Sequence, residues 1–248
     1  MGSMFDEDYY FIPPLSRYSY IFPDPREASD EGLLAYGGDL EPNRILTAYR
    51  YGIFPWYSQG DPILWWSPDP RLLLYPKDFI TRKSFARVLR NRGFSVTFDK
   101  DFSAVIKQCA SVPREGQEGS WILPEMQEAY VKLHNMGFGH SVEVWLDGKL
   151  AGGLYGLAMG GAFFGESMFS LVKDASKVAF RALSDVLGGR GYDFIDCQMR
   201  TDHLVSLGAV EVDRSSYLDE LAQALTKPSD IGSWQNFEWK YEERLDGR

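Results

Sequence analysis

Histidine and cysteine are scarce in this chain, three and two in 248 residues, and their placement excludes most of the chemistry they serve. His134, His140 and His203 form no HExxH or comparable cluster, and Cys109 and Cys197 form neither a CxxC pair nor a zinc-ligand spacing. We therefore expect no metal, no other cofactor and no disulfide framework. Missing too is any apolar run near the roughly 20 residues needed to cross a bilayer. The opening MGSMFDEDYY is acidic and aromatic where a secretory signal would be basic and then apolar. The expectation is a cytoplasmic chain with no membrane partner, in which Met1 to Ser3 is a cloning remnant ahead of a natural start at Met4. Repeats and low-complexity segments are absent. So is a glycine-rich loop opening a helix: the nearest string, Gly188 to Tyr192, closes one instead, which weighs against acyl-CoA.

What the chain does have is enough apolar sequence, 44%, to build a substantial core. Its net charge of −9 argues against a nucleic-acid partner until its distribution is considered. Between Arg71 and Gly93, seven cations face the single acid Asp78, a local +6 that leaves −15 for the remainder. Lys83, Arg87 and Arg90 follow i, i+4, i+7 spacing and would share one helix face. A solvated face is the ordinary reading of such a run. Phosphate binding depends on local potential, however, so contact with a polyanion fits as well.

Two parts are legible along the chain. Residues 1–70 are rich in proline, glycine and aromatics, with one helical pattern, Asn43 to Tyr51, stopped by Gly52. This predicts a small N-terminal domain containing β-structure. Residues 71–248 are more regular. Helical patterns near Arg82–Arg92, Phe102–Ala110 and Glu125–Met136 precede strand-like segments at His140–Trp145, Leu150–Ala158 and Ala162–Ser167. A helix from Asp174 to Leu187, a strand from Asp193 to Gln198 and helical pieces near His203–Leu207 and Ser216–Leu225 follow. The fold class is α+β, with a mixed sheet covered by helices in the larger part.

Candidate functional residues emerge from four stretches. Gly52 to Arg71 holds three tryptophans and four prolines, a rigid, non-helical frame for aromatic faces. Each of Trp56, Trp65 and Trp66 taken alone also fits a core role. In the strand ending YDFIDCQ, alternation would put Asp196 and Gln198 on one face, a proton acceptor beside an orienting amide. Glu166, in FFGESMFS, is a second candidate acid, with an edge charge or salt bridge as the plain alternative. Finally, Ala179, Phe180, Leu183, Val186 and Leu187 form an apolar helix stripe opposite glycine-rich strands carrying Leu154 and Phe163. The stripe suits plain core or one wall of an apolar pocket.

Taken in order, the long motif from Gly32 through Arg71, then EGSWI, SVEVW, GGLYG, FFGESMFS, DASKVA, FIDCQ and SLGA, resembles the leucyl/phenylalanyl-tRNA–protein transferase family from about Leu15 to Val212. That resemblance implies an aminoacyltransferase moving Leu or Phe, with Met as a further candidate, from aminoacyl-tRNA to proteins beginning with Arg or Lys. The product would be marked for N-degron-dependent degradation. It also implies a GNAT-like larger domain. Its site residues would be Trp56 and Trp121 for the terminal adenosine, Asp196 and Gln198 for catalysis and Glu166 for the acceptor. Leu154, Phe163, Phe180, Leu183, Leu187 and Ile195 would form the amino-acid pocket, and the basic helix bearing Lys83, Arg87 and Arg90 would meet tRNA phosphates.

The chemistry agrees with that assignment. An aminoacyl ester is already activated, so transfer needs a neutral amine, correct approach and oxyanion stabilisation, without ATP or metal. One position departs from the family: three residues after Gln198 stands Thr201, where well-known members carry Asn. Its hydroxyl is shorter than an amide, which leaves that position's role open. Two other classes stay open. A non-catalytic tRNA-binding protein would need the tryptophans and the basic helix but not Asp196, Gln198 or Glu166, and a GNAT acyltransferase would use acyl-CoA.

Overall fold

A computed structural model describes residues 11–112 and 120–242; Met1 to Met4 and the Glu118-Gly119 pair of EGSWI lie outside the described residues. Two sheets organise the chain. The smaller combines β1 (Pro14–Leu15), β2 (Leu33–Gly37), β3 (Phe54–Pro55) and β4 (Leu64–Trp66) in the order β1-β2-β4-β3, with α1 (Pro42–Arg50) between β2 and β3. Pro42 begins α1 where a missing N–H costs nothing.

The larger sheet has seven strands, β5 (Arg71–Leu74), β6 (Ser95–Phe98), β7 (Gly139–Leu146), β8 (Lys149–Met159), β9 (Ala162–Ser170), β10 (Phe194–Asp196) and β11 (Val210–Val212). Their order is β11-β5-β10-β9-β8-β7-β6, and only β9 and β10 run parallel. The helices are α2 (Lys83–Asn91), α3 (Phe102–Ser111), α4 (Pro124–Asn135), α5 (Ala175–Gly189), α6 (Asp202–Val205) and α7 (Arg214–Ala224). Asp101 and Asp213 cap α3 and α7 by accepting from Ala104 N–H and Ser216 N–H, each at 2.9 Å.

Strand alternation divides the core in two. Leu73, Phe164 and Phe194 face a cluster shared with α1, α3, α4, α7 and Trp65 of the small sheet. Their neighbours Leu72, Leu74, Phe163 and Ile195 face the opposite cluster beneath α5, which also receives Phe85 of α2 and Trp234. Both faces of the sheet are therefore covered, and its central strands read as nearly continuous apolar runs. Glycine lets α5 lie close: a Cβ at Gly152 would stand 2.6 Å from that of Ala175. The mixed α+β architecture is the one the sequence predicts.

Local differences have local causes. β5 and β6 fall where the sequence shows a cationic window and a turn-flanked four-residue run, too short for periodicity to register. β9 extends to Ser170, and β10 stops at Asp196 and not at Gln198. Arg71, counted among the surface cations, is wholly buried against Asp196 and leaves six cations in the exposed window. Among the described residues, no helix is long and apolar enough to cross a membrane.

Candidate active site

The site begins where the two parallel strands part. β10 pairs with β9 through Phe194–Ala162, Ile195–Phe163 and Asp196–Phe164, after which β9 runs on while the other chain turns away. It stays bound to β5: Cys197 N–H donates to Leu72 O at 2.8 Å, and Leu72 N–H donates to Gln198 O at 3.1 Å. Between Glu166 to Met168 on one side and Cys197 to Gln198 on the other opens a cleft of about 630 Å³, within the usual range for small-molecule sites.

The divergence corrects one expectation. Gln198 has φ +62°, a left-handed conformation outside strand geometry, so alternation does not place it on the face of Asp196. Gln198 lines the cleft, whereas Asp196 is fully buried behind it. Asp196 takes four donors, as many as a carboxylate has lone-pair sites. Oδ1 accepts from Arg71 Nε at 2.8 Å and Gln198 N–H at 2.8 Å, and Oδ2 accepts from Arg71 Nη2 and Tyr217 OH, both at 2.7 Å. Left-handed backbone at a side chain of this size costs ~1–3 kcal/mol, and the bond from Asp196 to the Gln198 amide helps to hold it.

Glu166 has the contrasting environment. Its side chain lines the cleft, held by Tyr49 OH at 2.6 Å and Gln198 Nε2 at 3.0 Å on Oε1, and by Tyr130 OH at 2.9 Å on Oε2. The two tyrosine hydroxyls also touch each other at 2.6 Å. Burial disfavours the charged form and pushes the Glu166 carboxyl up to about 7, against the two tyrosine hydrogen bonds that lower it. Both phenols are held well above their ordinary value, first by burial and then by the Glu166 charge. Among the described residues Glu166 is the only acid lining the cleft.

A narrower slot of about 160 Å³ continues inward from the same corner. Leu154, Phe163, Phe180, Leu183 and Ile195 line it, together with Tyr155, Met168, Cys197 and Leu204. Apolar cavities of ~150 Å³ admit a benzene-sized group. Leu187 is buried in the same core cluster, one turn beyond Leu183, but does not reach the slot.

At the outer end Trp56 and Trp121 line the cleft together. Trp66 meets Trp56 edge-on, 5.6 Å between rings, and donates its indole N–H to Trp56 O at 2.6 Å. Trp65 is core, its N–H on Gly37 O at 2.9 Å. Thr201 is on the cleft wall and caps α6 by accepting from Leu204 N–H at 3.2 Å, a task Asn performs equally well. Lys83, Arg87 and Arg90 lie on the exposed face of α2 and do not line the cleft.

Several participants gave no local signal. Tyr49, Tyr130 and Tyr217 read as ordinary helix residues, and Arg71 as a surface cation. Each is called to the site by tertiary packing.

An apolar slot, an aromatic ledge and an amide–carboxylate corner thus meet in one cleft. Models of the leucyl/phenylalanyl-tRNA protein transferase N-terminal domain and of the leucyl/phenylalanyl-tRNA protein transferase match residues 38–69 and 73–222. The chain belongs to the leucyl/phenylalanyl-tRNA protein transferase family. It is 55% identical over 213 residues to the relative from Desulfatibacillum aliphaticivorans, covering 86% of this chain and 91% of that one. To the relative from Maridesulfovibrio salexigens it is 56% identical over 224 residues, covering 90% and 93%. Both carry the name leucyl/phenylalanyl-tRNA–protein transferase. Among solved structures, it aligns with a GCN5-related N-acetyltransferase from Kribbella flavida at TM-score 0.33 and 13% identity, over 66% of this chain and 58% of that one. L-PGS from Bacillus licheniformis aligns at TM-score 0.38 and 11% identity, over 69% and 57%.

Proposed function

We propose that this chain transfers Leu or Phe, with Met as a further donor residue, from aminoacyl-tRNA to the N-terminal amine of proteins beginning with Arg or Lys. Modified proteins then enter N-degron-dependent degradation, in the cytoplasm. The observation that carries this reading is the continuity of slot and cleft through Glu166, Met168, Cys197 and Gln198. An aminoacyl side chain in the slot puts its ester beside Gln198 while the adenosine that carries it reaches Trp56 and Trp121, where stacking on a base is worth ~1–3 kcal/mol.

In this arrangement Gln198 contacts the incoming amine, and Asp196 acts on it by fixing the Gln198 backbone. Glu166, the acid on the cleft wall beside Gln198, receives the N-terminus of the acceptor. The exposed cations of α2 meet phosphates, away from the chemistry. The test is transfer of labelled Phe or Leu from tRNA to peptides beginning with Arg, Lys, Gln or Ala. Expected is transfer to the first two. Trp56→Ala should raise KM for aminoacyl-tRNA more than Trp56→Phe does, and equal loss from both would assign Trp56 to packing.

A further inference from the structure

Three groups meet at the back of the cleft with four oxygens: the Glu166 carboxylate, the Tyr49 hydroxyl from α1 on its Oε1 and the Tyr130 hydroxyl from α4 on its Oε2. All three pairs are in hydrogen-bond contact, Tyr49 to Glu166 at 2.6 Å, Tyr130 to Glu166 at 2.9 Å and Tyr49 to Tyr130 at 2.6 Å. Three such bonds need three protons, and two phenols supply two. The ring is complete only when a third proton sits on the carboxyl. It is thus a ready-made receiver for one proton at the surface of the cleft. Asp196, by contrast, spends every lone pair on Arg71, Tyr217 and the Gln198 amide.

We infer that Glu166 is the catalytic residue that takes the proton from the acceptor amine, with the Tyr49 and Tyr130 hydroxyls and both carboxylate oxygens holding that proton in a hydrogen-bonded ring; this rests on the transfer reaction proposed above. The neutral amine nitrogen attacks the ester carbonyl carbon and the C–N bond forms. One N–H proton passes to Glu166, the carbonyl carbon–ribose oxygen bond breaks, and the departing ribose oxygen takes the proton back from Glu166. No proton is gained or lost over the cycle, so no co-reactant is required.

Lone-pair counting separates this role from capture of an acceptor guanidinium. Among the described residues, Oε1 of Glu166 already accepts from Tyr49 and Gln198, and Oε2 from Tyr130, leaving a single acceptor site on Oε2. A bidentate arginine needs both oxygens; one amine N–H needs only one. The other charged or titratable groups around the carboxylate are Asp196 of β10, whose charge disfavours ionisation, and Arg71 of β5, which favours it. Cys197 and His203 line the same cleft, the Cys197 thiol pushed up by burial and the His203 imidazole held low by burial and Lys177. The Glu166 carboxyl at about 7 is poised to exchange a proton near neutral pH.

The experiment is the pH dependence of kcat/KM for an Arg-initiated peptide at fixed Phe-tRNA. Two ionisations govern the wild type on the acid side, the amine and Glu166, so log kcat/KM should approach a slope of about two at low pH. In Glu166→Gln the slope should fall to about one, reporting the amine alone, with kcat lowered ~10²–10⁴-fold and KM for Phe-tRNA unchanged. Tyr130→Phe keeps the carboxylate and removes a hydrogen bond that favours its charge. It should retain the steeper slope and move its break to higher pH, which keeps the test open should the first variant fail to fold. A Glu166→Gln enzyme with wild-type slope and kcat but a raised peptide KM overturns the inference in favour of simple charge recognition, as does an unmoved break in Tyr130→Phe. A wild type that transfers nothing to the peptide overturns the proposed function itself, a distinct result.

Discussion

At the scale of single residues, two carboxylates about one hydrogen bond apart from the same glutamine have opposite fates. Asp196 is saturated by donors and paired with a buried guanidinium, while Glu166 is desolvated without a cation in contact. Asp196→Asn would leave Arg71 buried without its counter-charge, so it should cost ~3–5 kcal/mol of stability as well as turnover. Gln198→Ala removes only a partly buried amide and should lose ~1 kcal/mol or less while transfer falls ~10²-fold through mispositioning. Thermal unfolding and single-turnover assays on both variants separate the two effects; equal stability would contradict the buried pair. Glu166 makes a pH prediction of its own. Its folded carboxyl sits at about 7 against an ordinary 4.5, so the protonated form is favoured by folding. The associated stability is complete below about 4.5 and is lost as pH rises through about 7, a change of ~3 kcal/mol. Glu166→Gln does not titrate, so denaturant unfolding should show the variant gaining on the wild type by that amount between pH ~4.5 and ~8. A constant difference across that range would contradict it.

At the scale of elements, the proposed function assigns affinity for tRNA to α2 and selectivity for the amino acid to α5. α2 anchors through Phe85 and Ala86 and turns Lys83, Arg87 and Arg90 to solvent. Reversing those three charges should weaken every aminoacyl-tRNA alike and flatten the salt dependence of binding by ~0.7–0.9 log units per lost phosphate contact. Filter binding over a salt series decides it, and an unchanged slope would make the run a solvated face. α5 supplies Phe180 and Leu183 to the slot. Leu183→Ala should enlarge the slot and raise the Phe-to-Leu ratio of kcat/KM ~10-fold, the scale on which apolar pockets discriminate a methylene or two. Competition between the two charged tRNAs measures that ratio. Both helices rely on the same strand arrangement, since the slot exists only because β10 ends three pairs into its ladder with β9.

At the scale of the molecule, the two sheets share one core. A single apolar cluster runs from Leu34, Ile45 and Trp65 to Phe102, Tyr130, Phe164 and Tyr217. The N-terminal part therefore completes the site by supplying Tyr49 to Glu166 and Trp56 to the cleft. Unfolding should be one cooperative transition, with tryptophan fluorescence and far-ultraviolet circular dichroism coinciding. Two separated transitions would show that the parts fold independently.

The sequence by itself determined the secondary elements with strong periodicity, α4, α5, β7 and β8, because their side-chain pattern is set by which face is buried. It also determined the basic helix, the apolar stripe and the tryptophan-rich frame, each contained in one contiguous stretch. Hidden from it were β5, whose Arg71 reads as surface charge, and the face of Asp196, because alternation fails where the backbone turns left-handed at Gln198. Only the tertiary structure decided which carboxylate meets the cleft. Solvent exposure, ion pairing and hydrogen-bond saturation depend on neighbours far away in the chain: Arg71 lies 125 residues from Asp196, and Tyr49 lies 117 residues from Glu166. An acid's chemistry is set by the donors and the dielectric around it, and no local pattern records what the fold brings there.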